Sequence, residues 1–347
     1  MYKKNIFISL VIFCAIVLLT GCFNKESLEE MDVPQNEDAE KTSSDMQEKE
    51  SNADMVPREL YFIDANGMVA AQTIELPLEA SKRVATQVLE HLVADGPGSS
   101  KIPNGFRAVL PEGTEILGLN IQEDGTIVVD VSEEFNEYAS EDEVRILEAM
   151  TYSLTQFDNI DTMQLRVNGY EQHAMPVNGT PIGQGYTRNR GINVMQTDTI
   201  DFLQSDAVTV YYPTEYNDTR YYVPVTQYVS DEEENKYGSL IEALIDGPKY
   251  NILQITHVFN PQTALTSDPK LRDGVLEIEF NDRILKDADD GVISDEVMET
   301  LVRTLTEDDE VEAVQVKVQN VEALQSETGE LYDEPVTKEM YSPKEKL

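Results

Sequence analysis

The sequence of 347 residues predicts an α+β protein in which one two-layer unit occurs twice. Three observations support this fold class. Short runs alternate apolar and polar residues as half-buried strands do, longer runs place apolar residues at helical spacing, and both recur later in the same order. The plainest marker of the repeat is the phrase Asp-Gly-Pro, which occurs at Asp95, Gly96 and Pro97 and again at Asp246, Gly247 and Pro248.

Each half opens on two extended runs, which predict strands, and continues with an amphipathic helix. The helix is expected to stop at Asp-Gly-Pro, because Gly96 and Gly247 suit a left-handed residue just past a helix and proline prevents continuation. The opening strands of the first repeat are predicted at Glu59–Asp64 and in the run "AAQTIELP", and those of the second repeat at Val208–Pro213 and in the run "RYYVPVT". The apolar face of the helix is predicted at Val84, Val88, Leu89, Leu92 and Val93 in the first repeat and at Leu240, Ile241, Leu244 and Ile245 in the second.

Two strands around an Asp-Gly turn, a second helix and a closing strand complete each half. Ser140 and Glu143 have the spacing of a capping box, and the equivalent helix of the second half is predicted to begin at Ser294. The order β-α-β-β-α-β predicts a sheet with one apolar face covered by two helices. Three sets of residues are expected to face inward in each repeat. In the first repeat they are Ile127, Val129 and Val131 before the second helix, Val144, Leu147, Met150 and Leu154 on that helix, and Met163, Leu165 and Val167 in the closing strand. The corresponding sets of the second repeat are Leu276, Ile278 and Phe280, then Val297, Leu301 and Leu305, then Val314, Val316 and Val318.

The first residues predict export from the cytoplasm. "MYKKN" carries two positive charges and "IFISLVIFCAIVLL" is an uninterrupted apolar segment, which is the pattern of a secretory signal. The "LTGC" that follows resembles the lipobox of bacterial lipoproteins. That resemblance implies that residues 1–21 are removed and that Cys22 becomes a lipidated first residue on the outer face of the cell membrane. An uncleaved transmembrane anchor is the alternative, although the apolar run is short for that role.

The charge balance argues against a nucleic-acid partner. The chain has 26 Lys and Arg residues against 66 Asp and Glu residues, and its net charge of -40 repels phosphate backbones and anionic headgroups. Membrane attachment must therefore come from acyl chains on Cys22. The predicted divisions are a signal peptide at 1–21, the lipidated cysteine and an acidic disordered linker at 22–57, the first repeat with its connector at 58–190, the second repeat at 206–320 and a flexible tail at 321–347.

Few residues are candidates for catalysis or metal binding. His91, His173 and His257 share no metal-ligand spacing, and His91 near a helix end suits capping. The acidic run Asp287–Glu299 departs from a calcium loop, since its glycine is fifth instead of sixth and methionine is twelfth in place of glutamate. The Asp-Gly-Pro loops follow helices and do not precede them, so they lack the geometry of a phosphate cradle. We expect no catalytic residue, no metal and no cofactor.

The lipobox, the acidic linker, the two Asp-Gly-Pro phrases, the Asp-Gly hairpins and the closing strands together resemble the GerM family of sporulation and spore germination lipoproteins, whose repeated unit is the GerMN domain. "NRGIN" at 189–193 resembles the segment that closes the first unit in that family. The second copy lacks an equivalent of the loop "KIPNGFRAVLPEGTEI". The resemblance implies a fold similar to ring-building modules and a non-enzymatic role at the channel complex between mother cell and forespore. It also implies protein partners in that channel or in the spore envelope, with a homo-oligomer as one possible assembly.

Three function classes remain open at this point. A structural or assembly lipoprotein would make specific protein contacts and turn over no substrate. A solute-binding lipoprotein also has a lipobox and two lobes, but its lobes are parallel α/β units around a cleft with convergent polar groups. A cell-wall hydrolase would need two carboxylates facing each other in a deep groove.

Overall fold

The structure of this chain is a computed structural model that describes residues 54–78, 81–194, 205–230, 235–248 and 255–341. Cys22, the predicted signal peptide and almost all of the acidic linker lie outside the described residues. Both repeats belong to one unit, Ala53–Leu347. No helix within the described ranges is long and apolar enough to span a bilayer.

The first repeat contains two sheets and two long helices. Its elements are β1 (Met55–Asp64), β2 (Val69–Pro77), α1 (Ser81–Glu90), β3 (Phe106–Arg107), β4 (Ile116–Ile121), β5 (Thr126–Val131), α2 (Glu143–Leu154), β6 (Thr162–Val167) and β7 (Tyr170–Gln172). The long hairpin forms a sheet of order β2-β1-β3, and the later strands form a sheet of order β4-β5-β6-β7. The pair β5–β6, which α2 connects, is parallel, whereas the other pairs are antiparallel.

The second repeat follows a similar order, with one additional short hairpin ahead of its second helix. Its elements are β8 (Ser205–Tyr216), β9 (Thr219–Ser230), α3 (Lys236–Asp246), β10 (Lys270–Arg272), β11 (Val275–Phe280), β12 (Leu285–Asp287), β13 (Val292–Ile293), α4 (Asp295–Leu305), β14 (Ala313–Val318) and β15 (Val336–Thr337). β8 and β9 form a hairpin, and the four-stranded sheet has the order β10-β11-β14-β15 with a parallel β11–β14 pair. The tandem α+β fold that the sequence predicts is therefore confirmed.

The single sheet expected in each repeat is divided: the described strands form two sheets in the first repeat and three in the second, where β12 and β13 pair separately. In the first repeat, α2 contacts the hairpin strands β1 and β2 as well as β6 of the other sheet, and the Tyr61 amide donates a hydrogen bond of 2.9 Å to the Ser153 hydroxyl. Nearly all of α2 is buried, as expected of a helix that is covered on more than one side. Val144 is the exception to the predicted inward face, since it is 44% exposed and borders an open pocket at the first turn.

The strands that follow the Asp-Gly turns, β5 and β11, supply core residues as predicted. Ile127, Val129 and Val131 in the first repeat are fully buried, and their counterparts Leu276, Ile278 and Phe280 are also buried. Each such side chain contributes roughly 1.5–3 kcal/mol by leaving water. The buried residues fall into two clusters, largely one in each repeat.

The N-terminus of α2 is not a capping box, so that prediction was wrong. Glu143 is the first helical residue, and no side-chain cap is formed there. Its carboxylate accepts hydrogen bonds from the Tyr138 hydroxyl (2.8 Å) and from the backbone amides of Asn178 (2.6 Å) and Thr180 (2.8 Å). The carboxylate thus ties α2 to a loop far along the chain, which the local spacing of Ser140 and Glu143 could not indicate.

The two Asp-Gly-Pro phrases differ in geometry. In the second repeat, Gly247 caps α3 with φ 74, and its amide donates to the Ala243 carbonyl at 3.1 Å, as predicted. In the first repeat, α1 already ends at Glu90, ahead of Asp95, and Gly96 is not left-handed, so both predictions were wrong there. Glycine fits position 96 for another reason: a Cβ would lie 2.2 Å from the Glu90 carbonyl oxygen.

The segment after residue 321 is folded through Tyr341, which contradicts the predicted flexible tail over that part. β15 pairs with β14, Val336 is buried, and Lys338 forms an ion pair with Glu307. β15 has only two residues, so its sequence has too little alternation to predict a strand.

Candidate functional site

The segment 189–193, "NRGIN", joins the two repeats. Ile192 is fully buried, and its backbone exchanges two hydrogen bonds with Thr226 of β9: its amide donates to the hydroxyl (2.8 Å) and its carbonyl accepts from the Thr226 amide (2.9 Å). Gly191 has φ 82, and a Cβ there would lie 2.7 Å from Val194 Cγ2 and 2.9 Å from Thr226 Oγ1. Any larger residue at 191 would be strained and would displace Thr226.

Asn193 bridges the hairpins of the two repeats. Its Nδ2 donates to the carbonyls of Val69 on β2 and Pro224 on β9, both at 2.7 Å, while its Oδ1 accepts from the Val69 amide at 2.8 Å. Its φ of 48 is left-handed, a conformation that asparagine tolerates better than most residues. Both amide donors and the amide oxygen are therefore used to hold β2 beside β9.

Apolar and aromatic contacts extend this interface. Ala70 of β2 belongs to the core cluster of the second repeat. The Tyr221 hydroxyl donates to Asp64 Oδ2 at 2.9 Å, and its ring meets the Phe106 ring edge-on with centroids 4.7 Å apart. The two repeats consequently share part of a core, which favours their folding as one body.

A partly buried ionic cluster connects the repeats at Glu307. Arg188 Nη1 lies 2.9 Å from Glu307 Oε2, and Arg188 Nε donates to Thr155 Oγ1 at 2.7 Å. Glu307 Oε1 accepts from Lys338 Nζ at 2.5 Å and from the Tyr211 hydroxyl at 2.9 Å. Burial would raise the pKa of Glu307, but the charges of Lys338 and Arg188 bring it down to about 2. Glu307 is therefore an ionised structural group.

Arg303 on α4 makes a second ionic connection. Its Nε lies 2.7 Å from Glu299 Oε1 on the same helix, and its Nη1 lies 3.4 Å from Glu59 Oε1 on β1 of the first repeat. Its Nη2 donates to the Tyr341 carbonyl at 2.8 Å. One guanidinium thus links the first described strand to the last described residue.

A cavity of about 660 Å³ adjoins the cluster and is lined by both repeats. Its wall includes Glu59, Asp161, Arg188, Glu307 and Lys338. A glycosidase-type pair needs one carboxyl group with a raised pKa as general acid. Glu307 has the opposite shift, and its charge is neutralised by Arg188 and Lys338. This arrangement suits the joining of two domains more than acid–base chemistry.

Glu148 on α2 is a buried carboxyl group that contacts the segment 189–193. It is 3% exposed, and one of its oxygens accepts from the Asn193 amide at 3.2 Å. Burial raises its pKa to about 8, which the Asn193 amide and Arg145 only partly oppose. Glu148 lines a separate cavity of about 430 Å³. It is therefore mostly protonated at neutral pH.

Glu148 is expected to make stability fall as the pH rises. Its pKa is about 8 in the folded chain and 4.5 in the unfolded one, so the unfolded chain loses the proton first and the contribution disappears between about pH 5 and pH 8. Glu148→Gln should remove this component, which amounts to at most ~1.4 kcal/mol per pH unit. Urea unfolding of the full chain at several pH values gives the free energy of unfolding as a function of pH, and the slopes of the variant and of wild type are compared.

Glu141→Gln is the matched control, because Glu141 is an exposed carboxylate close to the start of the same helix. Its slope should equal that of wild type. An identical pH dependence for wild type and Glu148→Gln would contradict a proton on buried Glu148.

The three histidines each have a ring nitrogen close to a backbone carbonyl. His91 contacts the last turn of α1, and burial lowers its pKa, which disfavours the cationic form of the ring. The nitrogen-to-oxygen distances are 2.7 Å for His91 to Gln87, 3.1 Å for His173 to Gly183 and 2.8 Å for His257 to Ile245.

The acidic run Asp287–Glu299 forms a hairpin turn followed by α4. Asp287 Oδ1 accepts from the amides of Asp289 (3.0 Å) and Asp290 (3.3 Å), so its carboxylate stabilises the turn. The described residues contain no group of three His, Cys, Asp or Glu side chains placed to hold a metal ion. Cys22, the predicted lipidation site, lies outside the described residues.

The fold and this interface define the class of protein, which is a tandem α+β protein. Its two repeats share part of a core and are joined by two ionic connections. The family Germane, described as "Sporulation and spore germination", matches residues 59–173 and 209–323. "Spore germination protein GerM" of Bacillus subtilis (strain 168) is 40% identical over an alignment of 344 residues. The match covers 93% of this chain and 93% of that protein. The solved tandem GerMN domains of the B. subtilis sporulation protein GerM are 42% identical and cover 84% of this chain and 100% of that one, with a TM-score of 0.75. This chain belongs to the Germane family of sporulation and spore germination proteins.

Proposed function

We propose that this chain is a lipid-anchored protein outside the cytoplasm with a structural, assembly role at the channel complex between mother cell and forespore. The observation that carries the proposal is the similarity to GerM of B. subtilis along both repeats, 40% identity over 93% of each chain. The lipobox-like sequence before Cys22 supports the anchor. The protein contacts partners and catalyses no reaction.

The interface geometry supports a structural role over the two alternatives. A solute-binding protein opens and closes its lobes, but opening here would separate Glu307 from Arg188 and expose a shared core. A hydrolase needs a carboxyl pair in one groove. Glu148, whose pKa is raised, and Glu307, whose pKa is lowered, line different cavities.

Deletion of the gene in its spore-forming host should lower the yield of heat-resistant spores or slow their germination. Complementation with the full chain should restore both, because the assembly would regain its missing component. Spore counts after heating and the loss of optical density during germination are the measurements. Normal spores and normal germination in the deletion strain would overturn the role.

The location at the channel is tested by cross-linking in sporulating cells followed by affinity capture of the full chain. We expect channel proteins in the captured material and none with an unrelated tagged lipoprotein from the same cells. Capture of the chain without any channel protein would contradict this location and would leave the sporulation phenotype to be explained by another assembly.

A further inference from the structure

The four-stranded sheet of the first repeat has an open edge at β4. Among the described strands, β4 pairs with β5 alone. The Gln122 amide donates to the Thr126 carbonyl at 2.8 Å, so Asn120 also directs its backbone groups toward β5. The amides and carbonyls of Leu119 and Ile121 must then point away from the sheet. No described residue forms a hydrogen bond with these outward groups.

The edge of β4 is apolar, whereas the equivalent edge of the second repeat is short and charged. β4 reads "ILGLNI", with Leu117 50% and Ile121 37% exposed. A bulge at Leu117 leaves Gly118–Ile121 in regular register. The equivalent strand, β10, is only "KLR", and short charged edge strands resist pairing with other chains. The first repeat lacks this protection.

The surroundings of β4 are strongly acidic. From residue 108 to residue 144 the chain contains eleven Asp and Glu residues and no Lys, Arg or His. Glu115 precedes the strand, and Glu123 and Asp124 form the turn after it; all three are exposed. A basic partner would be attracted to this edge. A second copy pairing antiparallel through β4 would bring Glu115 near the acidic turn of its neighbour, and such like charges destabilise strand pairs.

We propose that β4 accepts an extended, Lys- or Arg-rich segment of a partner protein as an added strand of the first-repeat sheet. The partner's backbone would pair with the outward groups of Leu119 and Ile121, and its basic side chains would lie beside Glu115, Glu123 and Asp124. This inference rests on the proposed assembly role. It adds to that role the chemistry of one partner and the surface of this chain that binds it.

The test uses the full chain with Cys22→Ala and a capped peptide that alternates lysine and valine. We expect saturable binding by fluorescence anisotropy, slower amide exchange at Leu119 and Ile121, and a Kd that rises with salt. A peptide that alternates glutamate and valine should bind at least about tenfold more weakly. The titration is independent of spore phenotypes, so its failure and the failure of the proposed function are distinguishable.

Two sets of variants locate the contact. Ile121→Pro removes an outward donor and should weaken binding at least about tenfold, while Leu271→Pro at the corresponding position of β10 should leave the Kd unchanged. Neutralising the acids with Glu115→Gln, Glu123→Gln and Asp124→Asn tests the same surface without altering the backbone, and it should weaken binding and flatten its salt dependence.

Any of three results would overturn the proposal. The first is no binding of the lysine–valine peptide, and the second is equal loss of binding in the Ile121→Pro and Leu271→Pro chains. The third is concentration-dependent dimerisation that Ile121→Pro abolishes, seen by sedimentation, because it would assign the edge to a second copy of this chain.

Discussion

Arg188→Met is expected to lower the free energy of unfolding by roughly 2–4 kcal/mol, because it leaves the partly buried Glu307 carboxylate with Lys338 as its one cationic partner among the described residues. The Arg188 side chain is 26% exposed and that of Glu307 14%, which places the pair between buried and surface ion pairs. Urea unfolding of the full chain at neutral pH gives the value. The same experiment with Arg107→Met is the control, since Arg107 is 52% exposed in its ion pair with Asp142 and should cost at most ~1 kcal/mol.

The pH dependence of the Arg188→Met effect follows from Glu307. With a folded pKa of about 2 against 4.5 unfolded, the stabilisation by the Glu307 cluster is present above about pH 4.5 and is lost as the pH falls toward 2. The variant should therefore differ from wild type most at neutral pH and least in acid. The double variant with Glu307→Gln should cost less than the sum of the single changes. Strict additivity, or equal costs for Arg188→Met and Arg107→Met, would show that the cluster does not couple the repeats.

Cys22→Ala is expected to move the protein from the membrane fraction to the soluble fraction with its fold intact. After removal of residues 1–21, which include Lys3 and Lys4, the chain would carry 24 positive and 66 negative residues, a charge of -42. Such a chain has no electrostatic attraction to an anionic bilayer, so only acyl chains, at about 0.8 kcal/mol per buried methylene, can hold it there. Fractionation and labelling with palmitate measure the effect.

Cys14→Ala is the matched control for the lipid anchor. Cys14 lies within the predicted signal peptide, and its replacement should leave both the palmitate label and the membrane fraction unchanged. Membrane retention of the Cys22→Ala chain would reject the lipid anchor and favour the uncleaved transmembrane anchor.

The fold class follows from local patterns that act within single elements. Ile127, Val129 and Val131 alternate as a half-buried strand requires, and Leu276, Ile278 and Phe280 repeat the pattern in the second copy. Gly247 after α3 was also predictable, because a helix end needs a residue that accepts a positive φ at one known position. Gly96 was not, because its constraint is the approach of the Glu90 carbonyl from the preceding turn.

The interface between the repeats was predictable only in part. Arg188 is one of only 26 Lys and Arg residues in an acidic chain, and the adjacent segment "NRGIN" was recognisable as a closing segment. Nothing in the sequence distinguishes Glu307 or Glu148 from the rest of the 66 acidic residues. Lys338 lies in a stretch without periodic pattern, and its role depends on β15 joining the sheet.

By itself, the sequence determined the order of strands and helices, the duplication, the acidic charge and the candidate lipidation at Cys22, since each depends on neighbours a few residues apart or on composition. Tertiary structure alone decided that the strands of each repeat divide into more than one sheet, that Val144 is exposed, and that Glu143 binds a distant loop. It also decided that Glu307 is ionised while Glu148 keeps its proton. The physical reason is that burial and the pairing of charges depend on groups brought together from distant positions in the chain, 35 residues apart for Glu143 and Asn178 and 119 for Arg188 and Glu307.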